Sequence, residues 1–337
     1  MTRSNPCLFV VGCPRSGTTL LQRMLDAHPL LTVANDTHFI ARAVSAVAPD
    51  WRDEPGALEA ADTRLREWSR AYRRFPRLGL DAAAVERAAA PRDGYARFVG
   101  RLYDELAVSR TKPFAGEKTP DYVSHLPLLH ALFLDARFIH IVRDGRDVAL
   151  SLLEWATPSK GPGRIPLWSR DPMAVCALWW RRGVEAGRRD GAELGAGRYL
   201  EVRYEELVAS PERGLREIAS FLDLPFAEEM LTFNRGRERR DSGRSAKSAW
   251  LGPTSGLRDW RRQMDAENIE LFEALAGETL GSAGYVRHVR RPSADAGARA
   301  ERASEWWDEY LREKERKRRR SSVGANAPQV EDHSRAS

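Results

Sequence analysis

Eight residues, Gly12-Cys13-Pro14-Arg15-Ser16-Gly17-Thr18-Thr19, join the apolar run Leu8-Phe9-Val10-Val11 to a segment whose Leu20, Leu21, Met24 and Leu25 recur at helical spacing. Strand, glycine loop and helix in that order commit a chain to a βα unit, and hence to a parallel sheet with helices packed on its faces. The two glycines, separated by four residues, let successive backbone N–H groups converge on one oxyanion at the start of the helix. Such a loop is a phosphate cradle. In a nucleoside-triphosphate hydrolase the second glycine is followed by Lys, which reaches the terminal phosphates, and then by a hydroxyl that holds magnesium. Here the lysine slot is Thr18, and the cation sits inside the loop at Arg15, whose planar fork matches phosphate oxygens.

The rest of the chain repeats the alternation. Thr32-Val33 reads as a short second strand. Arg137 to Arg143 has an apolar, β-branched centre that stops at Asp144-Gly145, so it reads as a buried parallel strand, with a helix from Asp147. Tyr199 to Tyr204 is a further strand, and Leu215, Ile218, Phe221 and Leu222 give the segment after Pro211 a helical period. These elements predict an α/β fold of P-loop type: a doubly wound parallel sheet flanked by helices, binding its ligands beyond the carboxyl ends of the strands. Residues 39–106 are helical in character, broken by Pro49, Pro55, Pro76 and Pro91, and form a candidate cap on the substrate side. Residues 1–290 read as one domain containing that cap. Residues 291–337 read as a tail: a break at Arg290-Arg291-Pro292, a charged helix over Ala296–Arg320, and a disordered end.

Composition bounds the partners. A net charge of +6 over 337 residues suits an anionic substrate, although part of the excess lies in the tail and nothing in the chain specifically points to nucleic acid. Only six of the 54 basic residues are lysine, so a lysine inside a motif suggests a chemical need for a compact ammonium. Cys7, Cys13 and Cys176 are odd in number and lack metal-ligand spacing, which predicts neither disulfide framework nor metal site and fits a reducing cytoplasm. No stretch approaches the roughly 18 apolar residues of a membrane span, and no leader is apparent. Homo-oligomerisation stays open.

A second anion site completes the motif set. Arg143 closes a strand and Ser151 follows it by eight residues, in the first turns of the next helix. Two phosphate sites suit a nucleotide phosphorylated at both ends of its ribose. Here the chain resembles the sulfotransferases that use 3′-phosphoadenosine 5′-phosphosulfate (PAPS). In that family a Pro-Lys/Arg-Ser-Gly-Thr-Thr loop binds the 5′-phosphosulfate and an Arg…Ser pair binds the 3′-phosphate. Pro14-Arg15-Ser16-Gly17-Thr18-Thr19 and Arg143…Ser151 match both in order and spacing, and Arg203-Tyr204-Glu205-Glu206 is similar to the family's tyrosine segment near the nucleotide. The resemblance runs from Leu8 to Val286 and is patchy in the cap.

It implies a donor site of Arg15, Ser16, Gly17, Thr18, Thr19, Arg143, Ser151 and Tyr204, and a sulfo transfer that needs no metal. Sulfo transfer also requires a base for the acceptor proton. The tyrosylprotein and heparan-type sulfotransferases carry a catalytic glutamate where this chain has Asp36, one methylene shorter, with His38 as the alternative base. Asp36 is also a candidate helix N-cap. Gly116-Glu117-Lys118-Thr119-Pro120 resembles a Glu-Lys-Thr-Pro segment of heparan-type and bacterial members, which implies that Lys118, with Arg15 and Asp36, serves the transferring group. The expected acceptor is a hydroxyl ahead of an amine, on a glycan, peptide, lipid or small metabolite.

Blander readings stand beside these. His125, His130 and His140 read as structural, Trp179-Trp180 as packing, and Trp306, Trp307 and Tyr310 as part of a solvated tail ahead of a membrane or partner contact. Residues 250–260 lie where relatives place a loop over the 3′-phosphate, which makes Arg258 a weak candidate ligand. The rivals to a sulfotransferase are a metal-dependent P-loop kinase, disfavoured by Thr18, and a nucleotide-binding protein without catalysis.

Overall fold

The computed structural model describes residues 4–235 and 258–322. Five strands, β1 (Leu8–Val11), β2 (Leu31–Asn35), β3 (Phe114–Lys118), β4 (Arg137–Val142) and β5 (Tyr199–Arg203), form one sheet in the order β2-β3-β1-β4-β5. Every pairing is parallel, with Phe9 opposite Glu117 on one side and Phe138 on the other. β1 is wholly buried and alternates by face, as period-two geometry requires. Leu8 and Val10 join one hydrophobic cluster, and Phe9 and Val11 another.

The first cluster lies under α1 (Thr18–Asp26), α10 (Tyr204–Ala209) and α11 (Pro211–Phe221), which contribute Leu21, Met24, Leu207, Leu215 and Ile218. Four helices of the region read as a cap share the second cluster: α2 (Phe39–Val47), α4 (Asp62–Ala71), α5 (Ala82–Ala89) and α6 (Tyr95–Ser109). α3 (Ala57–Ala60) is a single turn with no buried residue, its Leu58 half-buried against the same cluster, and α7 (Leu126–Leu132) joins the cluster beside β4. The prolines at 49, 55 and 91 fall between helices, and Pro76 opens a 3₁₀ turn over Phe75–Leu78. Proline lacks the N–H that a helix interior needs.

α8 (Gly145–Trp155) starts two residues before Asp147, because the Asp144 side chain accepts the Arg146 N–H and caps it. β3 and the long α9 (Pro172–Leu194) are absent from the sequence reading. β3 carries glycine and two charges in five residues and therefore lacks a strand pattern. Its Gly116 lies so close to β1 that a Cβ there would stand 2.8 Å from the Leu8 carbonyl oxygen. α9 is capped by Asp171 and lays Gly183, Gly187 and Gly191 toward the sheet side. A Cβ on Gly187 would meet His140 at 2.5 Å, and one on Gly191 would meet the Tyr199 ring at 2.5 Å.

From residue 258 onward, α12 (Trp260–Gln263), α13 (Ala266–Ser282) and α14 (Ala294–Ser322) follow. α14 contains the expected charged helix, but its first half is not solvated. Ala296, Ala300, Ala303 and Trp307 recur at helical spacing and are buried, the last three in a core shared with α9 and α13. The Arg299 guanidinium fastens this face to Asp171 at 2.7 and 3.0 Å. Trp306 and Tyr310 stack on each other, half-buried at the edge of the same core. No described helix is long and apolar enough to cross a membrane. Residues 250–257 and the segment after Ser322, both read above from sequence, lie outside the described residues.

Candidate functional site

Strand order places the site. From β1 the chain leaves toward β2, and from β4 it leaves toward β5 on the opposite side. The carboxyl ends of β1 and β4 therefore border the crevice where such sheets bind ligands. Both anion motifs sit there.

Gly17 precedes α1 with φ 96°, and a Cβ on it would stand 2.3 Å from Tyr204 Cδ2. Only glycine fits that close approach at that backbone angle. α1 has no acidic residue in its first turn and no side-chain cap, so its N-terminal N–H groups and positive dipole end are available to an anion. Ser16 Oγ is buried with no hydrogen-bond partner among the described residues, as expected for a hydroxyl built to meet a ligand.

Arg15 occupies the left-handed region at φ 79°, an uncommon backbone state for a side chain of its size. Its Nε donates to Ser151 Oγ at 2.9 Å, and its guanidinium lies 5.9 Å from the Trp155 ring centre. Burial, then the like charges of Arg143 and Arg258, push the Arg15 pKa down, with Glu154 opposing. Three guanidinium groups thus bear on one place, and an anion there would relieve their repulsion. Arg258 is ion-paired with Glu154. Ser151, read from sequence as sharing an anion with Arg143, accepts a hydrogen bond from Arg15, so the two motifs meet through that hydroxyl.

Arg143 is buried, lies 4.6 Å over the Tyr204 ring and approaches Asp147 at 3.4 Å. Its Nε has no hydrogen-bond partner among the described residues. Asp144 already caps α8 through the Arg146 N–H, so the Arg143 side chain is the cation that faces an anion here. The backbone behind it is rigidly framed. The Trp180 indole donates to the Arg143 carbonyl at 3.1 Å, and Arg146 is buried between Asp144 and Glu273, 3.6 Å over the Trp260 ring. Tyr204 lies under both Gly17 and Arg143.

The third part lies at the ends of β2 and β3. Lys118, fully buried, donates from Nζ to Asp36 Oδ1 at 3.0 Å and to Thr19 Oγ1 at 3.3 Å. One ammonium therefore touches both the glycine-loop helix and the candidate base. Burial lowers the Lys118 pKa, with Asp36 opposing. Burial by itself would raise the Asp36 carboxyl, but Lys118, His38 and Arg74 outweigh it and hold the carboxyl below its ordinary value. Asp36 does not cap α2, because the residue before that helix is His38, whose side chain makes no capping bond.

His38 Nδ1 lies 3.6 Å from Asp121, and burial together with Arg74 pushes its pKa down to about 3. It is a neutral imidazole at physiological pH. Sequence reasoning missed Arg74 and Arg77, the latter donating to the Asp36 carbonyl at 3.4 Å. Both sit in a break between helices, where no periodicity marks them. Glu117, to which the Glu-Lys-Thr-Pro resemblance gives no role, is fully buried beside Lys118. His140 is structural, its Nδ1 2.6 Å from the Tyr199 hydroxyl, and burial pushes its pKa down to about 4.

Residues 6–228 match the model described as the sulfotransferase family, a span that contains every one of these groups except Arg258, Trp260 and Glu273. The chain belongs to the sulfotransferase family. Among similar proteins, protein-tyrosine sulfotransferase A of Caenorhabditis elegans is 26% identical over 231 residues, covering 68% of this chain and 53% of that protein. Protein-tyrosine sulfotransferase 1 of Homo sapiens is 29% identical over 226 residues, covering 67% of this chain and 53% of that protein. The chain thus spans about half the length of these relatives. The solved sulfotransferase domain from the curacin biosynthetic pathway shares the fold, with a TM-score of 0.52, 20% identity, and coverage of 88% of this chain and 96% of that one.

Proposed function

We propose that this sulfotransferase-family protein moves a sulfo group from PAPS to a hydroxyl acceptor, with an amine as the less favoured acceptor. The observation that carries the reading is Lys118, whose ammonium touches Thr19 beside the anion cradle and Asp36 beyond it. A donor held in the cradle would present its transferring group next to a cation and an acid together. In this reading Ser16, Gly17, Thr18, Thr19 and Arg15 hold the 5′-phosphosulfate. Arg143, carried on Tyr204, takes the 3′-phosphate, with Ser151 between the two sites. Asp36 accepts the acceptor's proton as its oxygen forms the new bond to sulfur. Lys118 and Arg15 neutralise the sulfo oxygens and the departing phosphate oxygen. Asp36 is preferred to His38 because it alone of the two bonds Lys118.

Support for the 3′-phosphate assignment is the unpartnered Arg143 Nε, and for the cradle the unpartnered Ser16 Oγ. Cys7, Cys13 and Cys176 are buried and none is joined in a disulfide, in keeping with a reducing, cytoplasmic setting. Calorimetric titration with 3′-phosphoadenosine 5′-phosphate against AMP tests the donor site, and equal affinity for the two removes Arg143 from its role. A panel of glycans, peptides, phenols and small alcohols with labelled PAPS tests the transfer. Asp36→Ala is expected to lower turnover by ~10²-fold or more with nucleotide affinity kept.

A further inference from the structure

We propose, building on the assignment of Asp36 and Lys118 above, that Glu117 is a positioning residue: its buried carboxyl clamps Thr37 and Thr119 and thereby sets Asp36 against Lys118. Glu117 and Lys118 are consecutive on β3, so their side chains leave opposite faces of the sheet. Lys118 reaches the reacting side. Glu117, with no exposed surface, reaches the supports behind it.

Four donors converge on this carboxyl. Oε1 accepts the Thr37 N–H at 3.2 Å, the Thr37 hydroxyl at 2.5 Å and the Thr119 hydroxyl at 2.5 Å. Oε2 accepts the Tyr103 hydroxyl from α6. Thr37 separates Asp36 and His38, and Thr119 follows Lys118, so two of the clamped residues adjoin the groups that form the ion pair. An apolar core has no use for a carboxyl at this depth, where burial raises its pKa and each lone pair needs a donor.

The turn being held is one that a chain does not keep unaided. Asp36 and His38 both lie in the left-handed region, at φ 56° and 60°. Such residues persist where the surroundings over-determine them. Tyr122 supplies a second fastening, its hydroxyl accepting the Ile40 N–H at 3.1 Å at the start of α2. With His38 neutral, the charges that bear on the Asp36 carboxyl are Lys118 and Arg74. Of these only Lys118 is hydrogen-bonded to it, and only that contact depends on how the ends of β2 and β3 are aligned.

The test uses Glu117→Gln, which keeps the volume and removes one acceptor oxygen, and Thr37→Val, which removes one hydroxyl. Carbon-13 titration of the Asp36 carboxyl, identified by its loss in Asp36→Asn, reads the clamp without donor or acceptor. Its midpoint is expected to rise by about one unit as the Lys118 contact loosens, a tenfold change in proton affinity. Turnover of labelled PAPS, with the best hydroxyl acceptor of the panel or with water, is expected to fall 10- to 100-fold in kcat. The KM of the acceptor and the affinity for 3′-phosphoadenosine 5′-phosphate should stay within twofold. In an Asp36→Ala background Glu117→Gln should add less than a further twofold, because the two act through one geometry.

An Asp36 titration that does not move, or an equal fold-loss with and without Asp36, overturns the clamp. If Glu117→Gln does not fold, Thr37→Val carries the same measurements. A wild-type protein that ignores both nucleotides overturns the sulfotransferase reading and leaves the titration result standing.

Discussion

Gly17→Ala gives the sharpest reading of the anion cradle. The new Cβ would lie 2.3 Å from Tyr204 Cδ2 and 2.7 Å from Cε2, where ordinary contact begins near 3.4 Å. It would also place a side chain at φ 96°. The backbone penalty is about 1–2 kcal/mol, and forcing a methyl into a packed site adds about 1–3 kcal/mol, so destabilisation of ~2–5 kcal/mol is expected. At about 2 °C per kcal/mol for a chain of this size, thermal unfolding should shift down by ~4–10 °C. Relief by moving the loop instead would misplace the Ser16 and Thr18 N–H groups, and nucleotide affinity would fall roughly tenfold for each 1.4 kcal/mol so spent.

Tyr204→Ala removes the ring that is struck, at the expense of its packing and of the Arg143 stacking. The double variant should therefore be more stable than the sum of the singles by about 1–3 kcal/mol. Differential scanning calorimetry and nucleotide titration on the four proteins measure both quantities. Additivity within about 0.5 kcal/mol would refute the contact between Gly17 and Tyr204 as the constraint on the loop.

Arg143→Lys keeps the charge but loses the planar fork and its seat on Tyr204. Affinity for 3′-phosphoadenosine 5′-phosphate should drop tenfold or more while affinity for AMP changes little. Trp307→Ala should cost about 3–5 kcal/mol in urea unfolding, whereas a freely solvated helix would predict no change. His140 binds its proton in the unfolded chain near pH 6.5 but in the folded one only near pH 4. Stability from this group is complete above pH 6.5 and is lost as pH falls toward 4, by up to about 1.4 kcal/mol per unit. His38, down at about 3, extends the same loss. His140→Gln should flatten the slope between pH 6 and 4.5 in a chemical-unfolding series.

The parts of the site that sequence made legible are those in which one residue type answers one local need. The glycine loop, the terminal Arg143 of a β-branched strand and the sparing lysine at 118 announced themselves without a fold. Their assembly did not. Arg15 and Ser151 meet across 136 positions, and spacing within a motif says nothing about such a partner. β3 escaped notice because its two charged residues are buried for chemistry, so the signal that marks a strand was spent on Glu117 and Lys118. The seating of α14 was hidden for a related reason. Its contact face is mostly alanine, whose small side chain allows close packing while barely raising the hydrophobicity that a sequence reader looks for.

The glycines of α9 determine how tolerant this fold can be. Where a helix rests on a sheet through side chains, a lost methyl in one place is made good by a shift in another, and the gap between the layers drifts as the sequence changes. At Gly187 and Gly191 there is no such compliance, for His140 and Tyr199 fill the space a Cβ would take. The layer spacing is then set by the α9 main chain resting on the His140 and Tyr199 rings, and Trp180, one turn from Gly183 on the same helix, takes its height from that contact where it donates to the Arg143 carbonyl. The anion site is thereby referenced to a helix-to-sheet distance that leaves no room for a further methyl at Gly187 or Gly191.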